Sequence, residues 1–161
     1  MIRPSFILFI CISLLTIVSC SVDRDPCLLP KTTSLRLGAY QVIDSSQTVT
    51  DSALPHPLWI AIDSNIALQY PEKTSKFTLL LSSLADSCRF ALQPDSAVAS
   101  FDTLTFYYQR QLQFLSNSCG YTYYFNITSV KNTFHNLDSV KLQNTTVNSD
   151  ANSKEHLQLF F

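Results

Sequence analysis

An alternation of apolar and polar residues with a period of two runs through most of the chain beyond residue 30. In residues 33–43 it places Leu35, Leu37 and Ala39 on one face of an extended segment. A helix would need apolar residues three and four positions apart, and no segment shows a convincing stripe of that kind. The alternation predicts β-strands. The other predicted strands lie within residues 58–62, 66–70, 77–81, 88–92, 102–115, 119–128, 140–147 and 156–161, whereas residues 44–57 and 144–153 are polar and loop-like.

About nine short strands without a helix predict an all-β domain, an antiparallel β-sandwich of immunoglobulin-like or related type. A partly closed barrel is the alternative. The sandwich is favoured because barrels usually need glycine at their corners, and the chain has only Gly38 and Gly120. A hairpin turn is predicted at residues 116–118. The expected core includes Leu37, Phe77, Leu79, Phe90, Leu104, Phe106, Tyr123 and Phe125.

The N-terminal segment has the pattern of a cleaved leader. Arg3 precedes an almost entirely apolar run over residues 6–18. Such a run is typical of a signal peptide and is too short to span a bilayer, which takes roughly 20 residues. Residues 17–20, Ile-Val-Ser-Cys, resemble the lipobox of bacterial lipoproteins, in which the cysteine thiol accepts diacylglycerol and the small Ser19 admits the peptidase. A plain signal peptide with an incidental cysteine at Cys20 is the alternative.

We therefore predict a lipoprotein signal peptide over residues 1–19, a lipidated N-terminus and short tether over residues 20–30, and a single β-sandwich domain over residues 31–161. Several acyl chains on Cys20 would anchor the protein stably, since each buried methylene contributes about 0.8 kcal/mol. The predicted location is the cell envelope, in the outer membrane, at its periplasmic face or at the cell surface.

The charge balance gives no sign of a nucleic-acid partner. The net charge of the chain is −1 at pH 7, and Lys and Arg form no cluster,. The scarcity of glycine also excludes glycine-rich phosphate loops. The partners we expect are the membrane, reached through the lipid anchor, and an unknown envelope protein or glycan. No cofactor is predicted.

Three cysteines, Cys27, Cys88 and Cys119, follow Cys20 in a compartment that permits disulfides,. Cys88 alternates in phase with Phe90, so it suits a small buried hydrophobic position. We predict a Cys27–Cys119 disulfide, which would close a loop of roughly 90 residues and contribute about 4 kcal/mol. Three free thiols are the alternative.

No catalytic or metal-binding motif is visible. His56, His135 and His156 lack the spacing of a metal site or a general base,. His156 is expected to begin a strand and to face solvent. Because the carboxylates are spread singly, a small envelope hydrolase would need a site assembled only in the fold, and this is the alternative function that we retain.

Four Asp-Ser/Thr-apolar triplets resemble a bacterial O-glycosylation acceptor. They occupy residues 51–53, 95–97, 102–104 and 138–140. We favour the alternative that these residues are not modified and that Asp-Ser and Asp-Thr simply start turns and strands.

The predicted hairpin over residues 102–128 carries several tyrosines. Alternation turns Tyr107 and Tyr124 outward, where their rings could stack on a sugar or a partner protein. Cross-strand pairing on a sheet face is the alternative role. Together with the missing catalytic motifs, these tyrosines predict a non-catalytic module that binds a protein or a glycan.

Three stretches together resemble a known family. They are residues 31–37 (Lys-Thr-Thr-Ser-Leu-Arg-Leu), 102–110 (Asp-Thr-Leu-Thr-Phe-Tyr-Tyr-Gln-Arg) and 119–121 (Cys-Gly-Tyr). With the cysteines before them, they resemble an uncharacterised family of small Bacteroidota lipoproteins, domain of unknown function 6452, over nearly all of the mature chain. The resemblance implies that the cysteines matching Cys27 and Cys119 recur, which favours their pairing. It implies no activity.

Overall fold

The computed structural model describes residues 26–43, 48–150 and 154–161. Within these ranges the chain folds into strands alone, and no helix there is long and apolar enough to cross a membrane. The strands are β1 (Leu35–Ile43), β2 (Thr48–Asp51), β3 (Leu58–Ala61), β4 (Ile66–Gln69), β5 (Lys76–Leu79), β6 (Ser87–Gln93), β7 (Asp102–Ser116), β8 (Gly120–Asn132), β9 (Ser139–Leu142), β10 (Thr146–Val147) and β11 (Leu157–Phe160). The predicted all-β class is confirmed, and the described residues contain eleven strands instead of the predicted nine or so. The leader and Cys20 lie outside the described residues.

The strands form two sheets. The first has the order β2-β1-β11-β9, and β5 also pairs with β1. Leu37 of β1 is opposite Leu157 of β11 and also opposite Phe77 of β5. Tyr40 of β1 is opposite Phe160 of β11 and also opposite Asp51 of β2. β11 therefore pairs with one edge of β1, and β5 and β2 lie end to end along its other edge. The second sheet has the order β10-β8-β7-β6-β3-β4. All pairs are antiparallel except β1 with β11, so the β-sandwich is a mainly antiparallel one.

The core consists of apolar side chains from the inner faces of both sheets. Trp59 of β3 is fully buried, and its ring centroid lies 5.6 Å from that of Phe77 in the opposite sheet and 6.4 Å from that of Phe90 in its own. Each such side chain contributes about 1.5–3 kcal/mol when it is removed from water. Trp59 thus packs the two sheets against each other.

Seven of the eight predicted core residues are buried, and the prediction for Tyr123 is wrong. The Tyr123 side chain lies on the same face of β8 as the buried Phe125, but it is 36% exposed. This exposure results from the different lengths of the strands in the two sheets. The β7–β8 hairpin joins strands of 15 and 13 residues, whereas the longest strand of the opposite sheet, β1, has 9 residues. The hairpin therefore extends beyond the sheet that would cover it.

Two further segments differ from their predictions. The loop-like segment 44–57 contains β2, which pairs with the end of β1. The single strand predicted over residues 140–147 is two strands in different sheets, β9 and β10. Between them the Asn144 side chain accepts a hydrogen bond at Oδ1 from the backbone N–H of Thr146, 3.0 Å away. This local turn lets the chain pass from one sheet to the other.

The β7–β8 hairpin turns at residues 117–119, close to the predicted position. Gly120 follows with φ of 72°, a left-handed conformation that glycine adopts without steric cost,. The backbone N–H of Cys119 donates to the hydroxyl of Ser116, 3.0 Å away. The turn therefore holds Cys119 at the end of the hairpin.

Candidate binding surface

Tyr107 and Tyr124 lie on the outer face of the second sheet, since their neighbours in sequence Tyr108 and Phe125 are buried on its inner face. The Tyr107 ring is 37% exposed, and the Lys131 ammonium lies 5.5 Å from its centroid. Tyr124 is half-buried, and its hydroxyl is 3.0 Å from that of Ser149.

The two tyrosines do not form one cluster. Tyr124 is opposite Gln111, which is four residues along β7 from Tyr107. A register shift also falls between Tyr107 and Tyr108, where the hydroxyl of Thr128 donates to the carbonyl oxygen of Tyr107 at 3.1 Å. Any surface built on both rings would span this irregularity.

An open groove of about 530 Å³ lies beside Tyr124. Most of the side chains that line it are neutral and polar, which suits hydrogen bonds with hydroxyl groups, and the Tyr124 ring adds a flat apolar surface. Arg110 is the charged residue of the lining. The lining residues are Gln109, Arg110, Gln111, Tyr124, Phe125, Asn126 and Thr146.

Arg110 departs from the alternation because it stands on the inner face of β7, opposite the buried Phe125. Its guanidinium donates to the Asp86 carboxylate and to the Ser83 carbonyl oxygen, each at 2.7 Å. A charged side chain is tolerated on this inner face because the core ends here. The guanidinium can therefore reach its polar partners in the β5–β6 loop. Arg110 therefore marks the boundary between the covered and the uncovered parts of the hairpin.

A second group of polar side chains meets around Lys76. Its Nζ lies 2.6 Å from the Tyr40 hydroxyl, 3.2 Å from Glu155 Oε2 and 3.3 Å from Asp51 Oδ1. Burial by itself lowers the pKa of Lys76, but the hydrogen bonds that its ammonium donates to Tyr40, Glu155 and Asp51 outweigh it and raise that pKa. A lysine held in its protonated form does not serve as a base or a nucleophile at neutral pH.

Gly38 makes room for this Lys76 cluster. A Cβ atom on Gly38 would collide with the Glu155 carboxylate. The cluster residues come from β1, β2, β5 and the segment before β11, so the cluster joins these parts of the first sheet. Its members are too far apart in sequence for any motif to reveal them. The geometry fits a structural ion-pair network.

The Asp102 side chain is completely buried at the start of β7. Its carboxylate accepts hydrogen bonds from the backbone N–H groups of His135, Asn136 and Leu137, at 2.6–3.1 Å, and from the Thr133 hydroxyl. Burial by itself raises the pKa of Asp102, but the hydrogen bonds from His135 and Asn136 outweigh it and lower that pKa. The triplet at residues 102–104 therefore has a structural explanation: its aspartate holds the loop after β8.

The prediction for His156 is wrong, because this residue is fully buried instead of facing solvent. Its ring nitrogens lie 3.0 Å from the backbone nitrogen of Arg36 and 3.1 Å from the carbonyl oxygen of Thr146. Both partners come from other strands, so nothing near His156 in sequence indicates them. His56 and His135, by contrast, are exposed. In the part of the chain that the structure describes, no group of three or more His, Cys, Asp or Glu residues is arranged to hold a metal ion.

Cys27 and Cys119 form a disulfide, the pair favoured by the sequence, with Cα atoms 4.8 Å apart. Cys88 is free and buried. Burial raises the pKa of its thiol, which lowers the fraction of reactive thiolate. The disulfide joins the predicted tether, residues 20–30, to the end of the β7–β8 hairpin.

Residues 58–161 match a family of unknown function, DUF6452. The chain belongs to this family. The matched DUF6452 residues contain the whole second sheet and both the 102–110 and the 119–121 stretches, whereas β1, β2 and Cys27 precede them. The match is thus narrower than the resemblance expected from the sequence. Comparisons with curated proteins and with solved structures found no match.

Proposed function

We propose that this DUF6452 protein is a lipid-anchored cell-envelope lipoprotein that acts by binding a glycan or a protein, without catalysis. The observation that carries the binding role is the open groove beside Tyr124. Its Gln109, Gln111 and Asn126 side chains offer donors and acceptors without charge, and a ring lies among them. This combination suits a neutral oligosaccharide better than a charged ligand.

The groove favours binding over hydrolysis because the strongly perturbed polar groups lie elsewhere and are engaged. Lys76 is paired with two carboxylates. Asp102 is saturated with hydrogen bonds from its own loop, and His156 is enclosed between strands. Lys76 and Glu155 do line an open depression on the first sheet, but a hydrolase would need such groups free to act on a substrate.

The lipid anchor rests on the Ser19-Cys20 step that ends the apolar leader. Cys20→Ala should abolish acylation and release the protein from membranes. Metabolic labelling with a fatty acid and membrane fractionation measure both effects. Unchanged membrane retention of the Cys20→Ala protein would contradict the anchor.

The binding role is tested with Gln111→Ala and Asn126→Ala, with Gln41→Ala as the matched control. Gln41 is also exposed on a strand, but in the other sheet. Calorimetric titration with a panel of neutral oligosaccharides should show that the parent protein binds. Each groove variant should have an affinity about five- to tenfold lower, the loss expected for one hydrogen bond. Gln41→Ala should bind like the parent protein.

The two tyrosines test how far along the sheet the bound ligand extends. Tyr124→Ala should weaken oligosaccharide binding, whereas Tyr107→Ala should weaken it only if the ligand extends past the register shift. Equal affinity of all groove variants would contradict the groove as the site. Turnover of a glycan or an ester by the purified protein would overturn the non-catalytic assignment.

A further inference from the structure

The uncovered end of the β7–β8 hairpin exposes four large apolar or aromatic side chains on one face. Leu112 is opposite Tyr123, and Phe114 is opposite Tyr121. Their exposed fractions are 56% and 36% for the first pair, and 47% and 63% for the second. We name these four residues the hairpin-tip surface. Phe114 and Tyr121 pack on each other, with centroids 5.2 Å apart, and both side chains remain exposed.

The hairpin-tip surface lies in the longest uncharged part of the mature chain. No residue between Arg110 and Lys131 is charged. Exposed strands of soluble proteins normally carry charges that keep them from associating. A long hairpin without any charge, and with tyrosine beside leucine and phenylalanine, has the composition found where protein meets the membrane–water boundary.

More apolar residues are exposed in the segments beside the hairpin tip. Leu80, 59% exposed, lines a depression together with Lys31, Tyr121 and Tyr123. Lys31 is held there because its carbonyl oxygen accepts a hydrogen bond from the Thr122 hydroxyl at 2.6 Å. Leu28 and Leu29, next to the disulfide, are 87% and 48% exposed.

We infer that the hairpin-tip surface rests in the lipid–water interface of the membrane that holds the anchor. The inference rests on the proposed lipid anchor at Cys20. Cys27 follows Cys20 by seven residues, so an extended tether reaches at most about 25 Å. The Cys27–Cys119 disulfide then fixes the end of this tether to the hairpin tip itself. The tip is therefore the part of the domain that the lipid anchor brings to the bilayer.

This covalent path is the reason for choosing lipid over a second copy of the chain or a protein partner. Any other occupant would have to displace a membrane that is already within reach of Phe114 and Tyr121. In the proposed orientation Lys31 also lies beside the lipid headgroups, where an ammonium is attracted to anionic phosphates. Tyrosine suits this depth because its ring is apolar and its hydroxyl stays hydrated.

The test uses tryptophan as a depth probe in the full, lipidated protein. Phe114→Trp and Tyr121→Trp place the probe on the hairpin tip. Ile66→Trp is the matched control, because Ile66 is 58% exposed on β4, at the far edge of the same sheet. The native Trp59 is buried in the core and gives every variant the same background. Thermal melting verifies that each variant is folded.

Each variant is reconstituted in vesicles of phosphatidylethanolamine and phosphatidylglycerol, with or without brominated acyl chains. We expect the tip tryptophans to shift to shorter wavelength and to lose emission about twofold or more to the brominated lipid, as probes in the interface do. The emission of Ile66→Trp should be nearly the same in both lipids.

The outcomes separate this inference from the proposed anchor. If mass spectrometry shows acyl chains on Cys20 but the tip probes are quenched no more than Ile66→Trp, the anchor stands and the hairpin-tip assignment is overturned. If Cys20 carries no acyl chain and the protein leaves the vesicles, both are overturned. A blue shift that appears without vesicles, together with dimers in sedimentation, would assign the surface to a second copy and overturn the lipid assignment.

Discussion

The imidazole of His156 accepts a hydrogen bond at Nδ1 from the backbone N–H of Arg36, 120 positions away in the sequence, at 3.0 Å. The carbonyl oxygen of Thr146 lies 3.1 Å from Nε2, which therefore carries the proton and donates it. The neutral ring joins β1 in the first sheet to β10 in the second. Burial lowers the pKa of His156 below its ordinary value.

The lowered pKa of His156 predicts a loss of stability in mild acid. The imidazole of the unfolded chain binds a proton near pH 6.5, whereas the buried imidazole of the folded chain binds it only at lower pH. The stability that neutral His156 contributes is therefore complete above about pH 7 and declines as the pH falls below about 6.5. His156→Gln retains one acceptor and one donor without the titration. Urea unfolding between pH 7 and pH 5 should give a flatter profile for this variant. His56→Gln, at an exposed loop position, should keep the parent slope, and a parent slope in His156→Gln would refute the assignment.

Removing the Asp102 carboxylate should be among the most damaging polar changes. Asp102→Ala leaves the N–H groups of His135, Asn136 and Leu137 without their acceptor. The free energy of unfolding should fall by about 3 kcal/mol, since each buried unsatisfied group costs about 1–3 kcal/mol. Because the pKa of Asp102 is lowered in the folded protein, the stability that its carboxylate contributes is complete above about pH 4 and declines as the pH falls further towards that lowered pKa. Asp138→Ala, at an exposed position, is the control, and equal melting of the two variants would contradict this role.

Breaking the Cys27–Cys119 bond should lower the free energy of unfolding by about 4 kcal/mol, because the bond closes a long loop in the unfolded chain. Cys119→Ser measures the loss by chemical unfolding. Cys88→Ala, which removes only a buried thiol, should cost about 1 kcal/mol. A digest of the unreduced protein should contain a peptide that links Cys27 to Cys119. A peptide that joins Cys88 to either one would disprove the pairing.

The last strand should be essential to the fold. β11 lies between β1 and β9 in the first sheet, and Leu157 and Leu159 are fully buried. Deletion of residues 157–161 should therefore leave no cooperative melting transition. Leu159→Ala is the milder test and should cost about 2–5 kcal/mol. Leu68→Ala, the same change on the exposed β4 strand, should cost less than about 1 kcal/mol, and similar losses at both positions would contradict the central place of β11.

Much of the local organisation could be predicted from the sequence. The two-residue period identified every strand of the second sheet except β10, and it gave the outward direction of Tyr107 and Tyr124. Cys88 alternates in phase with the apolar Phe90, and this pattern indicated that its thiol is buried. Lipid attachment at Cys20 stays a prediction from the leader, because that residue lies outside the described ranges.

The errors arose where burial depends on partners far away in the sequence. Alternation placed Tyr123 on the correct face, but the length of the opposite sheet decides whether that face is covered. His156 looked like a solvent-facing residue because its two partners belong to other strands. The Lys76 cluster and the groove beside Tyr124 have no local signature for the same reason.

The sequence by itself therefore determined the class of structure, the faces of the strands and the position of the hairpin turn, since a strand's two faces follow from its own residues. Only the tertiary structure decided which parts of each face are covered. It left the hairpin-tip surface open and enclosed His156. Burial is the physical reason, because it is set by what packs opposite a residue, and that is fixed only when the two sheets meet.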